Sequence, residues 1–166
     1  MELNPLTALS PIDGRYARQT DALRDIFSEC AFMNARVRVE VEWLISLSEA
    51  GFAELPHLSD HGKAFLRGLA DNFSLADCEA IKEIEKTTNH DVKAVEYWIK
   101  NQVAHDEELK SASEFVHFSC TSEDINNTSH AIMLKRGREA LADYLQQIHD
   151  TIAGFAHQWA EIPMLS

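Results

Sequence analysis

The sequence has few of the residues that interrupt regular structure or cross-link a chain. Its 166 residues include six glycines, four prolines and three cysteines, and they contain no low-complexity run. So few glycines and prolines leave little room for a flexible linker. Three widely spaced cysteines without a Cys-x-x-Cys pair argue against a zinc site or a disulfide framework. We therefore predict one globular domain, or one domain and part of another, with Cys30, Cys78 and Cys120 as reduced thiols.

Positive charge and long apolar runs are also scarce. Lysine and arginine number 15 against 27 aspartate and glutamate residues, which gives a formal net charge of −12. Such a charge repels nucleic-acid backbones and anionic membrane surfaces at long range. No apolar stretch approaches membrane-spanning length, and the first residues lack the basic and apolar regions of a signal peptide. We predict a cytoplasmic protein that binds neither nucleic acid nor membrane but can still bind a small anion where cations and helix N-termini cluster.

Hydrophobic residues recur at three- and four-residue steps along most of the chain. This spacing predicts amphipathic helices between about residues 23 and 50, 65 and 73, 74 and 86, and 91 and 103. Gly51 is a plausible helix stop, and Ser74 followed by Asp77 is typical of a helix start. No segment alternates polar and apolar residues with a period of two. The pattern therefore predicts an all-α fold.

The last third of the chain predicts one long helix with a continuous apolar face. Apolar residues fall seven apart from residue 134, and others follow four residues later. We call these residues the seam: Leu134, Leu141, Leu145, Ile148, Ile152, Phe155 and Trp159. At 1.5 Å per residue, a helix of this length is about 55 Å long, so the shorter helices cannot cover all of it. We predict an N-terminal helical domain over 1–111 and the first long helix of a central helical bundle over 112–166. The final residues, 162–166, have no charged tail, which favours a longer parent protein.

Two of three polar clusters lie in the first 91 residues. Residues 10–16 (Ser-Pro-Ile-Asp-Gly-Arg-Tyr) place Arg15 and Tyr16 after a turn, where a guanidinium and a hydroxyl can bind phosphate or carboxylate. A surface salt bridge with packing explains that pair equally simply.

Residues 87–91 (Thr-Thr-Asn-His-Asp) surround a histidine with hydrogen-bonding groups, as proton transfer requires. The structural alternative is that Asn89 or Asp91 only caps the next helix.

The third cluster spans residues 117–127 (His-Phe-Ser-Cys-Thr-Ser-Glu-Asp-Ile-Asn-Asn) at the start of the long helix. The hydroxyls of Thr121 and Ser122, with the free amides of the first helical turn, can bind a carboxylate or phosphate. The alternative is an ordinary acidic helix N-terminus. His57 and His61 have the spacing of a helical metal pair but follow Pro56 in a predicted loop without a third ligand, so no metal site is predicted.

Taken together, the three motifs resemble the N-terminal part of the bacterial adenylosuccinate lyase family. The matching segments are residues 10–16, 86–97 (Lys-Thr-Thr-Asn-His-Asp-Val-Lys-Ala-Val-Glu-Tyr) and 114–127, and the resemblance extends over the whole chain in order. The family belongs to the fumarase/aspartase superfamily of all-helical homotetramers. The resemblance implies β-elimination of fumarate from adenylosuccinate, giving AMP, and from succinyl-aminoimidazole carboxamide ribotide in purine synthesis. It implies no metal and no organic cofactor.

The resemblance also implies site residues. Arg15 and Tyr16 match residues that bind the nucleotide, and Asn89, His90 and Asp91 match residues that line the substrate pocket. His90 matches a proposed acid or phosphate-orienting group. Thr121 and Ser122 match the pair that holds the succinyl region.

Two family segments have no counterpart in these 166 residues. In the family, an Arg-Thr-His-Gly-Gln motif with a catalytic histidine follows the equivalent of Ser166, and a loop with the catalytic serine comes later. Losing two members of a cooperating catalytic set predicts that the chain is inactive alone. A helical nucleotide-binding or oligomerisation module acting through partner chains is an alternative. A fumarase or argininosuccinate lyase would fit the fold but not the Asn89-His90-Asp91 context.

Overall fold

A computed structural model describes residues 4–55, 57–163 and 165, and helices make up most of this part of the chain. No β-strand occurs within these ranges, so the predicted all-α fold is confirmed. Two 3₁₀ helices cover Asp21–Leu23 and Ser113–Phe115. The α-helices are α1 (Arg24–Phe27), α2 (Glu29–Glu49), α3 (Asp60–Asp71), α4 (Leu75–Thr88), α5 (Asp91–Val103), α6 (Glu107–Ala112) and α7 (Ser122–Gln158).

Short polar side chains set where several helices begin. The hydroxyl of Ser28 accepts a hydrogen bond from the Ala31 amide at 3.2 Å, which satisfies a first-turn donor of α2. Ser59 does the same for α3 through the Gly62 amide at 3.1 Å. At α4, the Ser74 amide donates to the Asp77 carboxylate at 2.8 Å, as the Ser74 and Asp77 spacing predicted.

The core forms around α2. This helix packs against α3, α5 and α7, and α4 packs along α5. The contacts bury an apolar cluster whose largest members are Leu44, Leu55, Leu66, Ile81, Ile99 and Leu109. Because α2 touches both α5 and α7, it determines how the second and third polar clusters lie relative to each other.

Helix α7 leaves this core part-way along its length. It has 37 residues, and its buried residues are Ile125, Ser129, Met133 and Gly137. Gly137 lies where α7 meets the Phe27 ring of α1. Beyond Gly137 no described residue of α7 is buried, and the seam residues are 43–65% exposed. In the isolated chain the seam therefore has no cover. Within the described ranges, no helix is both long and apolar enough to cross a membrane.

The prediction of three reduced thiols was wrong for two of them. A disulfide joins Cys30 on α2 to Cys78 on α4, with Cα atoms 5.6 Å apart, and Cys120 is free. The two partners are 48 residues apart in sequence. Their pairing depends on how α2 and α4 pack, and sequence spacing does not show whether two cysteines lie within bonding reach.

Candidate functional site

The Asn89-His90-Asp91 cluster forms the junction between α4 and α5. Asn89 ends α4 in the left-handed region, with φ at +50°, which asparagine tolerates better than most residues. His90 is the N-cap of α5, and its Nδ1 accepts a hydrogen bond from the Lys93 amide at 3.2 Å. Neither Asn89 nor Asp91 caps α5, so the expected capping role falls on the histidine instead.

This cap determines which nitrogen of His90 carries the proton. Because Nδ1 is an acceptor, the neutral ring carries its proton on Nε2. Nε2 lies 3.4 Å from the hydroxyl oxygen of Ser122, at the start of α7. The fold thus brings together two of the predicted site residues that are 32 positions apart, with an imidazole N–H aimed at the N-terminus of a long helix. Such a group can donate a hydrogen bond to a ligand held there, and the doubly protonated ring can also donate a proton.

Thr121 and Asp124 form a reciprocal cap at the start of α7. The Thr121 amide and hydroxyl both donate to the Asp124 carboxylate, at 2.8 and 3.0 Å. These two bonds, the backbone one first, lower the pKa of Asp124 below its ordinary value. The acidic-cap alternative is therefore correct for Thr121 and Asp124. It does not use the Ser122 hydroxyl, which lies beside His90.

Asp91 binds both the first turn of α5, through the Val92 amide at 2.9 Å, and a side chain of α2. Its Oδ2 accepts a hydrogen bond from Arg36 Nη2 at 2.5 Å. Partial burial raises the pKa of Asp91, but the Arg36 charge and hydrogen bonds from Arg36 and the Val92 amide outweigh it, so the pKa lies below the ordinary value. Asp91 is accordingly an anion that binds Arg36.

Arg15 and Tyr16 lie apart from this cluster. They sit in a series of turns before the first helix, and both side chains are exposed. The Arg15 guanidinium lies 5.4 Å from the Tyr16 ring centroid. Among the described residues, no hydrogen bond or ion pair joins either side chain to His90 or Ser122. Their assignment to nucleotide binding remains a prediction.

Three residues of α2 make contacts to the site that were not predicted from the sequence. Arg36 binds Asp91 and also donates from Nε to the Asn126 side-chain oxygen at 2.9 Å. One turn later, the buried Glu40 accepts from His117 Nδ1 at 2.6 Å. Trp43 Nε1 donates to the backbone oxygen of Phe118 at 2.8 Å. The sequence did contain a sign of these contacts. Arg36 and Glu40 are charged residues on a face of α2 that otherwise carries core residues.

Comparison with known proteins identifies the family. The family model described as "Lyase" matches residues 14–166. The chain belongs to this lyase family. The match covers α2 to α7, and it therefore includes both the His90–Ser122 contact and the α2 side chains behind it.

Individual relatives within the lyase family carry a more specific name. Proteins named adenylosuccinate lyase from Vibrio cholerae, Haemophilus influenzae and Escherichia coli K12 are 51, 52 and 51% identical to the chain over 168 aligned residues. Each alignment covers 100% of this chain and 37% of the relative. The chain therefore spans about 37% of the length of the curated relatives it matches.

A hydrogen-bonded pair beside the site in the lyase chain joins the buried Glu40 to the partly buried His117. Burial raises the pKa of Glu40 above its ordinary value, and Glu96 adds to this, whereas the hydrogen bond and charge of His117 oppose it. Glu40 Oε1 binds His117, but Oε2 is buried without a hydrogen-bond partner. The His117 backbone has φ at +64°, a region that residues other than glycine seldom occupy. The pair thus anchors the strained turn that leads into Thr121.

The raised pKa predicts how Glu40 affects stability against pH. A carboxyl whose pKa is higher in the folded state binds its proton more tightly there. The free energy of unfolding therefore decreases as pH rises from about 4.5 through the folded pKa. Glu40→Gln removes this loss. The free energy of unfolding of the variant minus that of the original chain should therefore increase with pH, measured by urea unfolding between pH 4.5 and 7.5.

Glu42 provides a control of opposite sign on the same helix. Its hydrogen bonds to Arg67 are the main cause of a pKa lower than its ordinary value. Glu42 therefore stabilises the fold above its unfolded pKa, and this stabilisation is lost on acidification. The same difference for Glu42→Gln should decrease as pH rises up to about 4.5 and stay nearly flat above it, so this series is extended to lower pH. Parallel curves for the two variants would contradict the assignment.

Proposed function

We propose that the chain supplies half-sites of an adenylosuccinate lyase. The observation that carries this is the 3.4 Å approach of His90 Nε2 to the Ser122 hydroxyl at the N-terminus of α7. Two motifs that match the family motifs meet there in space, and three relatives that are 51–52% identical have that name. The chain also spans only part of the length of those relatives, so further segments complete the site.

The proposed reaction is the β-elimination of fumarate from adenylosuccinate. A base removes a proton from the carbon next to one carboxylate, the bond between carbon and the purine amino nitrogen breaks, and that nitrogen takes up a proton to give AMP. The succinyl-aminoimidazole carboxamide ribotide reaction follows the same steps. Both serve purine nucleotide synthesis, and we place the protein in the cytoplasm.

The residues of this chain suit the binding and acid roles. His90 can protonate the leaving nitrogen when its ring enters the step as imidazolium, and as a neutral ring it can orient the substrate phosphate through its Nε2–H. Ser122 and the first-turn amides of α7 can hold a succinyl carboxylate, since the positive end of the helix dipole favours an anion. We assign Asn89 and Asp91 to the pocket wall, Thr121 to the succinyl region, and Arg15 with Tyr16 to the nucleotide. No metal or organic cofactor is part of this proposal.

The proposal includes self-association. The exposed seam forms a stripe of large apolar side chains along the free part of α7. Burying each one is worth about 1.5 to 3 kcal/mol. We propose that copies of the protein pack their long helices together into a homotetramer, and that neighbouring copies complete each active site. The division into a 1–111 domain and a 112–166 bundle segment is part of the same proposal.

The test is a chimera in which this chain replaces the matching segment of the Escherichia coli adenylosuccinate lyase, which is 51% identical to it. We expect the chimera to cleave adenylosuccinate, followed by absorbance, with a kcat/KM within about tenfold of the Escherichia coli enzyme. This chain alone and the Escherichia coli remainder alone should both be inactive. A folded, tetrameric chimera without activity would overturn the proposal and leave the binding or oligomerisation module as the better interpretation.

A further inference from the structure

Arg36 is a buried cation that lies outside all three polar motifs. Only 5% of the residue is exposed, although it lies in the middle of α2 and carries a full charge. A buried guanidinium is costly unless its donors are paired. Here it is paired twice, with Asp91 at 2.5 Å and with Asn126 at 2.9 Å. The two partners belong to the second and the third motif, so a single side chain connects both.

Aromatic rings fix the plane of this guanidinium. The Arg36 Cζ atom lies 3.9 Å from the centroid of the Phe32 ring, one turn earlier on α2. Phe32 in turn stacks on His130 of α7, with ring centroids 4.5 Å apart and an interplanar angle of 15°. Stacking leaves the edge of the guanidinium free to donate to Asp91 and Asn126. Lysine has no planar fork and cannot reproduce this arrangement.

The bond lengths show which contacts determine the position of the site. The direct contact between His90 Nε2 and the Ser122 hydroxyl is 3.4 Å, longer than an ordinary N–H···O hydrogen bond of about 2.7 to 3.2 Å. The two Arg36 bonds are shorter and charge-assisted, which makes them roughly twice as strong as neutral ones. His90 is the residue before Asp91, and Ser122 is one turn before Asn126 on α7. Holding Asp91 and Asn126 therefore holds His90 and Ser122 at their observed separation.

We propose that Arg36 is a positioning residue, which sets the distance between His90 and Ser122 by binding Asp91 and Asn126 together. It does not touch substrate in this role. The predicted effect of Arg36 on kcat, the kinetic part, rests on the proposed lyase function. The predicted effect of Arg36 on the distance between His90 and Ser122, the geometric part, concerns only residues of this chain and does not depend on that function.

The geometric part is tested by hydrogen–deuterium exchange on the 166-residue chain. Arg36→Met keeps an unbranched apolar side chain that reaches about as far as the arginine Nε, and it removes both hydrogen bonds. The amide of Lys93, held by His90 Nδ1, should then exchange at least about tenfold faster, as should the peptide over 121–127, while α3 is unchanged. The matched control is Arg38→Met. Arg38 lies two residues away, has a side chain that is 38% exposed and pairs with Asp71 at 2.6 Å, so its loss should leave these amides unchanged.

The kinetic part is tested in the chimera. Arg36→Met should lower kcat by about 100-fold with a much smaller change in KM, because small displacements of reacting groups cost about this much. Arg36→Lys should recover only part of the loss, and Arg38→Met should keep the starting kcat. If Arg36 is merely structural, Arg36→Met will lower the unfolding temperature but keep kcat and the exchange pattern, and the proposal is then wrong.

A second variant keeps the test valid if Arg36→Met does not fold. Asn126→Ala removes one Arg36 bond and leaves the buried pair with Asp91 intact. It should raise exchange over 121–127 and lower kcat about tenfold, and unchanged values for both would overturn the proposal. A chimera that is inactive with Arg36 intact would count against the proposed function alone. The exchange data would still decide whether Arg36 positions the site.

Discussion

Replacing His90 with serine in the chimera should lower kcat for adenylosuccinate cleavage by about 10² to 10⁴-fold. Serine keeps a side-chain oxygen that can cap α5, so the helix start is preserved and the free energy of unfolding should change by less than about 1 kcal/mol. What is lost is the Nε2–H that faces Ser122, and positioned proton donors contribute to catalysis by this factor. The measurement is steady-state kinetics with a parallel urea-unfolding curve.

His105→Ser is the matched control for this experiment. His105 is exposed in the turn after α5 and has no contact with the site among the described residues. Its replacement should leave kcat within about twofold, since exposed positions away from such features tolerate change. If His90→Ser keeps full activity while folding normally, His90 is only a helix cap, and the site must use another acid.

Placing two charges on the seam should abolish self-association of the chain. Ile148 and Ile152 are 55 and 62% exposed and lie one turn apart on the free part of α7. Burial of each isoleucine is worth about 1.5 to 3 kcal/mol, so losing both weakens association by about 10² to 10⁴-fold. The variant Ile148→Asp/Ile152→Asp should therefore sediment as a monomer at concentrations where the original chain is oligomeric.

The control adds the same two charges to the opposite side of the helix. At 100° per residue, Gln146 and His157 lie roughly across from the seam. The variant Gln146→Asp/His157→Asp should stay oligomeric in analytical ultracentrifugation. Should both variants dissociate equally, net charge and not the seam governs association. Should the original chain be monomeric throughout, the seam needs other segments of the protein as its cover.

The sequence predicted the helices well because their signals are local. The three- and four-residue steps in α2, the Ser74 and Asp77 cap of α4, and the seven-residue spacing in α7 each involve neighbours in the chain. The apolar face of α7 was correctly located, but it is exposed in the isolated chain. Only its first part, up to Gly137, packs within the described structure.

The site was predicted in part for the same reason. Asn89, His90 and Ser122 were proposed as site residues because each lies in a short polar motif, and their roles remain predictions. Arg36 was missed because its partners are 55 and 90 positions away, and the Cys30–Cys78 disulfide because its partners are 48 apart. Such pairings depend on how α2 packs against α4, α5 and α7, and the spacing of neighbouring residues in the sequence does not predict them. The roles of Arg15 and Tyr16 rest on family resemblance and remain predictions.

Because α7 leaves the core at Gly137, the stability of the fold should depend on protein concentration. The part of this helix up to Gly137 is held by contacts within one chain, whereas the part after Gly137 is stabilised by packing only when another surface covers it. Anything that binds only the folded form stabilises it in proportion to the logarithm of its concentration. In the proposed oligomer the chain is its own stabilising ligand, and its midpoint of unfolding should rise with protein concentration.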